Sequence, residues 1–96
     1  MSFIYKTTGI YLGFISNGSI FSRDGEYLGW IEGMFAWDKD GRFRGQRWKD
    51  KYIILNRFVV QPVPKPPRVS IKPTALPDPP PNIAPVVVPT GWVDGF

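Results

Sequence analysis

Ninety-six residues suffice for one domain, and the 15 aromatic side chains can fill its small core without a metal or a disulfide. With neither cysteine nor histidine, the chain has no disulfide framework, thiolate zinc site, Ser-His-Asp or Cys-His machinery, or imidazole ligand for a transition metal. Its net charge of +4 permits an acidic partner without requiring one.

The start, Met1-Ser2-Phe3-Ile4-Tyr5-Lys6, lacks the apolar core of a signal peptide, and no later run approaches a membrane span. The expectation is therefore a soluble, cytoplasmic protein. From there a repeat organises the chain: Gly13, Gly29 and Gly45 fall 16 residues apart, and Arg23-Asp24-Gly25-Glu26-Tyr27-Leu28-Gly29 aligns with Lys39-Asp40-Gly41-Arg42-Phe43-Arg44-Gly45. The other half of the unit aligns Ile4-Tyr5 with Ile20-Phe21, Ala36-Trp37 and Tyr52-Ile53. Asn17-Gly18 and Glu32-Gly33 sit between apolar runs as hairpin turns, and Asp24-Gly25 and Asp40-Gly41 join one hairpin to the next. Glycine and proline recur too often for helix. Gly13, Gly29, Gly45 and Gly91 are expected where backbones approach too closely for a Cβ.

All 11 prolines lie between Pro62 and Pro89, where an extended, polyproline-like path is expected rather than a sheet interior. Residues 58–90 thus read as an insertion between the third and fourth hairpins. Its PxxP spacings, in Pro64-Lys65-Pro66-Pro67-Arg68 and Pro77-Asp78-Pro79-Pro80, offer a ligand to SH3-like or WW-like domains. The preferred reading is a structural strap, with Val69, Ile71, Leu76 and Ile83 packing on the domain or on a neighbouring subunit. After the insertion, Gly91-Trp92-Val93-Asp94-Gly95-Phe96 resembles the segments beginning at Gly13 and Gly29, so this final strand is expected to pair with Ser2 to Lys6 and close the ring.

No catalytic constellation emerges. The acidic residues are accounted for by turns and hairpin tips, no glycine-rich loop precedes a helix, and neither cofactor nor metal is implied, so the chain is read as non-enzymatic. Two candidate binding features stand out. Phe14, Trp30 and Trp92 share one phase of the repeat and Tyr5, Phe21 and Trp37 another; either ring of side chains faces the axis, filling it or lining an apolar channel. Arg42, Arg44, Arg47, Lys49 and Lys51, at mostly even steps, form either a solvated outer face or an anion-binding one suited to lipid headgroups or nucleic acid.

The pattern Tyr11-Leu12-Gly13-Phe14-Ile15, Asp24-Gly25-Glu26-Tyr27-Leu28-Gly29-Trp30-Ile31-Glu32-Gly33 and Asp40-Gly41-Arg42-Phe43 resembles the four-fold β-flower family of small, mostly bacterial proteins. The resemblance covers residues 1–57 and 91–96 and implies an all-β fold of four β-hairpin petals around a pseudo-four-fold axis. The family's architecture has been likened to the lipid-binding Tubby C-terminal domain, and it carries over no catalytic residue. Gln46 and Arg47 depart from the pattern, standing where the earlier units have Phe14/Trp30 and Ile15/Ile31. The functional expectation is a binding module for an apolar or anionic, lipid-like ligand. The alternatives are a structural or oligomerising protein that uses residues 58–90, and a nucleic-acid binder that uses the basic third hairpin.

Overall fold

The computed structural model describes residues 1–69 and 75–96; Ile71, one of the apolar residues expected to pack, lies outside that range. Eight strands follow in order: β1 (Ser2–Tyr5), β2 (Tyr11–Ser16), β3 (Ser19–Ser22), β4 (Tyr27–Glu32), β5 (Phe35–Asp38), β6 (Phe43–Trp48), β7 (Tyr52–Asn56) and β8 (Trp92–Asp94). Each pairs antiparallel with its sequence neighbours, and β1 also meets β7 in parallel at Tyr5 and Tyr52, so the sheet of seven strands closes on itself. The described residues contain no helix.

Turn chemistry fixes the hairpins. Asn17 and Gly18 both take positive φ (51° and 78°) in the β2–β3 turn, whose twist matches that of the strands it joins. The next turn is Gly33-Met34 rather than Glu32-Gly33, because Glu32 still pairs with Phe35 and only Gly33 has positive φ. The third tip holds three residues, Lys49-Asp50-Lys51, with the first two in the left-handed region (φ 54° and 58°). That extra residue shifts the repeat by one, so Ile53 takes the place that unbroken 16-residue spacing would give Tyr52.

The shift explains the core. Ile4, Ile15, Ile20, Ala36 and Ile53 form one buried aliphatic cluster, against which Leu12, Leu28, Ile31 and Phe96 pack. Ile4 pairs with Gly13, Ile20 with Gly29 and Ala36 with Gly45. At all three glycines a Cβ would fall on a backbone carbonyl, 1.9 Å from Phe21 O, 1.8 Å from Trp37 O and 2.2 Å from Ile54 O respectively. The expected close approach is therefore present at these positions. Gly91 does not belong to the series. The corresponding residue is Gly95, whose N–H donates to Ile53 O at 2.9 Å and whose Cβ would meet Arg44 O at 2.0 Å. Gly91 instead matches Gly9, Gly25 and Gly41, four residues upstream in each copy, and all four share a φ of 85–90° that favours glycine.

Closure also differs from the expected pairing of terminal strands. β8 pairs with β7, matching Ile54 with Asp94, Leu55 with Val93 and Asn56 with Trp92, and makes no ladder with β1. The two share the edge of β7 that β6 leaves free. Tyr5 N–H donates to Lys51 O at 2.7 Å, in the manner of Ile31 N–H to Gly18 O and Arg47 N–H to Met34 O in the earlier hairpins. A side chain then joins the chain ends: the Asp94 carboxylate accepts from Thr7 N–H at 2.9 Å and from the Thr7 hydroxyl at 3.0 Å. Asp94→Ala should cost about 2 kcal/mol in urea denaturation, because the partly buried amide of Thr7 loses a charged acceptor, and Asp94→Asn, which keeps an oxygen for that amide, should cost less.

The described residues of the proline-rich segment touch the turn glycines in reverse chain order, Gly91, Gly41, Gly25 and Gly9. Arg57 N–H donates to Gly91 O and Lys65 N–H to Gly41 O, each at 2.8 Å, and Ile83 N–H donates to Gly9 O at 2.9 Å. At Gly25 a Cβ would sit 2.6 Å from the Leu76 side chain. Asn82 Oδ1 accepts from Tyr11 N–H, and Val86 N–H donates to Thr7 O, both at 2.9 Å. Prolines suit this path because the belt needs an N–H at only a few anchor residues and an extended backbone between them.

Candidate functional site

Along each strand, side chains alternate between faces, and the face opposite the aliphatic cluster is aromatic. Phe14 stacks on its cross-strand partner Phe21 (5.2 Å between centroids) and Trp30 on Trp37 (6.4 Å). The third hairpin places Gln46 opposite Ile54 at the same site. In place of a third aromatic pair, a cavity of about 210 Å³ opens there, lined mainly by Phe35, Phe43, Gln46, Ile54, Val60 and Trp92. Val59, Gln61 and Pro62, from the start of the proline segment, complete its rim. Phe35 and Val59 are about half exposed and Val60 is 98 % exposed, so the groove carries an apolar lip toward solvent.

The aromatic residues singled out in the sequence do not line an axial channel. Phe14, Trp30, Tyr5, Phe21 and Trp37 are all buried, while the aliphatic residues Ile4, Ile20, Ala36 and Ile53 supply the other face. Tyr5 packs with Tyr11, Tyr52 and Ile54. Of the six, Trp92 alone borders the groove.

The basic residues are divided in the same way. Arg44 and Arg47 occupy the positions of Leu12/Leu28 and Ile15/Ile31 on the aliphatic face. There Arg44 donates from Nε to Gly95 O at 2.6 Å, lies 3.4 Å from the Asp38 carboxylate and covers the Phe96 ring, while Arg47 donates to Asp50 O at 3.2 Å. Lys49 lies over Trp48 and Lys51 is exposed at the same hairpin tip, while Arg42 is exposed in the turn before β6. No single strand face holds all five.

Asp38 is buried for a structural reason: its Oδ1 accepts from the N–H groups of Asp40 and Arg42 (2.9 and 3.0 Å), as Ser22 Oγ does from Asp24 and Glu26 one repeat earlier. The neighbouring cavity, about 220 Å³ between Tyr27, Leu28, Lys39 and Phe96, is bordered by the Asp38–Arg44 pair.

Glu32 joins the second hairpin to the proline segment. Trp30 Nε1 donates to it at 3.0 Å, and both Lys65 and Arg68 of the proline segment bond its carboxylate. The Lys65 hydrogen bond, and after it that of Trp30, holds this carboxyl below its ordinary value of 4.5. A lowered folded-state value means that the contact contributes fully above that range and is lost as pH falls through the lowered value. Acid titration followed by tryptophan fluorescence should thus show a step below pH 4.5, with Lys65 and Arg68 leaving the Trp37 and Trp30 rings, and Glu32→Gln should lack it.

Sequence reasoning missed Phe35, Phe43, Ile54, Val59 and Val60 as groove residues. The usable signal was the break at Gln46, since a polar residue at a repeat position otherwise filled by a stacked ring marks where the packing is incomplete.

A sheet of consecutive hairpins closed on itself, with no helix among the described residues, defines the structural class. A family model described as a 4-fold beta flower protein matches residues 1–94, and the chain belongs to that family. No curated protein and no solved structure matches it. Among the described residues, no helix is long and apolar enough to cross a membrane.

Proposed function

We propose that this chain is a non-enzymatic binding module that holds the end of an apolar, acyl-like ligand in the groove of its third hairpin. The reading places four petals around a pseudo-four-fold axis: β2–β3, β4–β5, β6–β7 and a split petal shared by β8 and β1, with residues 58–90 inserted before the last. The matched sets Gly9, Gly25, Gly41, Gly91 and Gly13, Gly29, Gly45, Gly95 support it. The observation that carries the functional reading is that symmetry fails at Gln46, and the failure leaves an open apolar cavity instead of a repacked core. At about 210 Å³ it is smaller than the roughly 300–1,000 Å³ of sites for whole drug-sized ligands, which suits one end of a chain. The Gln46 amide, with Asn56 Nδ2 and Gln61 Oε1, supplies the few polar groups that orient a ligand in such a site, while Asn56 Oδ1 and Gln61 Nε2 bond within the adjoining loop.

Titrating the full chain with a fluorescent fatty acid should give saturable binding and quench Trp92, whereas single-stranded DNA should produce neither effect. Absence of saturation, or equal competition by DNA, would refute the apolar site.

A further inference from the structure

The second hairpin carries a different kind of seat. Trp30 and Trp37 face each other across β4 and β5 with nearly parallel rings (17°), and Glu32 stands two residues along the same strand face. Onto this surface the belt lays Pro64-Lys65-Pro66-Pro67-Arg68. Lys65 Nζ lies 4.8 Å from the centre of the Trp37 ring, Arg68 Cζ lies 4.8 Å from that of Trp30, and both cations bond Glu32. Lys65 N–H donates to Gly41 O at 2.8 Å, and a Cβ at Gly41 would collide with Lys65 O at 1.8 Å, so the backbone seats directly on the turn.

Among the described residues, these contacts of Lys65 and Arg68 run to one hairpin and its following turn. The seat is specific to that hairpin. The first has Ser16 where the second has Glu32, and the third has Gln46 and Ile54 in place of the tryptophan pair. An aromatic platform, a carboxylate and a backbone acceptor are the chemistry by which extended proline-rich chains with basic side chains are bound.

We infer that the Trp30–Trp37–Glu32 surface is a binding site for proline-rich peptides carrying two cations three residues apart, supplied by another protein, and that residues 64–68 are its internal occupant. A tethered occupant acts at an effective concentration of about millimolar, so an outside peptide competes poorly until the internal one is weakened.

The test uses the full chain and a labelled synthetic peptide of residues 62–69, followed by fluorescence anisotropy. Lys65→Ala plus Arg68→Ala should raise peptide affinity at least tenfold over the unmodified chain, and adding Glu32→Gln should abolish that gain. If the double variant lacks the unmodified chain's circular dichroism, Arg68→Ala alone serves, with a smaller gain expected. Equal affinity in folded variant and unmodified chain, or binding indifferent to Glu32→Gln, would overturn the inference. So would sedimentation of the unmodified chain as a dimer that Glu32→Gln dissociates, since a second copy's belt would then be the occupant. None of these outcomes depends on the fatty-acid groove.

Discussion

Gly29→Ala should abolish stable folding or lower stability by roughly 3 kcal/mol or more, one of the largest effects available to a single methyl group in this chain. The added Cβ would lie 1.8 Å from Trp37 O and 2.7 Å from Asp38 Cα, both backbone atoms of the strand next to it. A flexible side chain could swing away from such a contact, but a carbonyl held in the β4–β5 ladder cannot move without breaking the register that pairs Gly29 with Asp38 and Trp30 with Trp37. That register also builds the peptide seat. Gly18→Ala provides the contrast: its nearest neighbour would be 3.9 Å away, so only its positive φ opposes the change and a cost of about 1 kcal/mol is expected. Denaturation midpoints for the two variants compare a steric clash with a purely conformational penalty, and similar midpoints would contradict the close-approach account.

The same positions show what the sequence disclosed. Gly13, Gly29 and Gly45 were legible because a close backbone approach tolerates one residue type and therefore repeats visibly. The alternation of Ile4-Tyr5, Ile20-Phe21 and Ala36-Trp37 was legible too, although which residue of each pair lay on which face was not, since both are apolar and both are buried. Periodicity failed where spacing changed. One extra residue in the Lys49-Asp50-Lys51 tip moved the aliphatic position to Ile53. At the other end, the likeness of Gly91-Trp92 to Gly29-Trp30 concealed the better match of Gly91 with Gly9 and of Gly95 with Gly13, which only the φ angles and contacts resolve. Closure was beyond reach from pattern alone because β1 meets β7 at a single parallel contact, Tyr5 with Tyr52, and the chain ends are joined by the Asp94 side chain on Thr7 where a ladder between β8 and β1 had been expected. The belt's route was hidden for a related reason: at Gly91, Gly41 and Gly9 it is held by single backbone N–H groups, which leave no compositional mark.

Gln46→Phe should separate ligand binding from folding. A phenyl ring at this position would lie across from Ile54 and beside Phe35 and Phe43, filling the space that Phe14 with Phe21 and Trp30 with Trp37 fill in the first two hairpins. Burying an aromatic surface in place of an amide should raise stability by about 1 kcal/mol. The groove would then be occupied from within, and affinity for the fatty-acid probe should fall at least tenfold. Val60→Ser, at the solvent-facing lip, should weaken binding less and leave stability nearly unchanged, because a residue 98 % exposed contributes little to the fold. The two changes thus move stability differently while moving affinity in the same direction, a combination that general destabilisation cannot produce. Full affinity in a stabilised Gln46→Phe chain would mean that the ligand lies elsewhere, and the broken symmetry of the third hairpin would need another explanation.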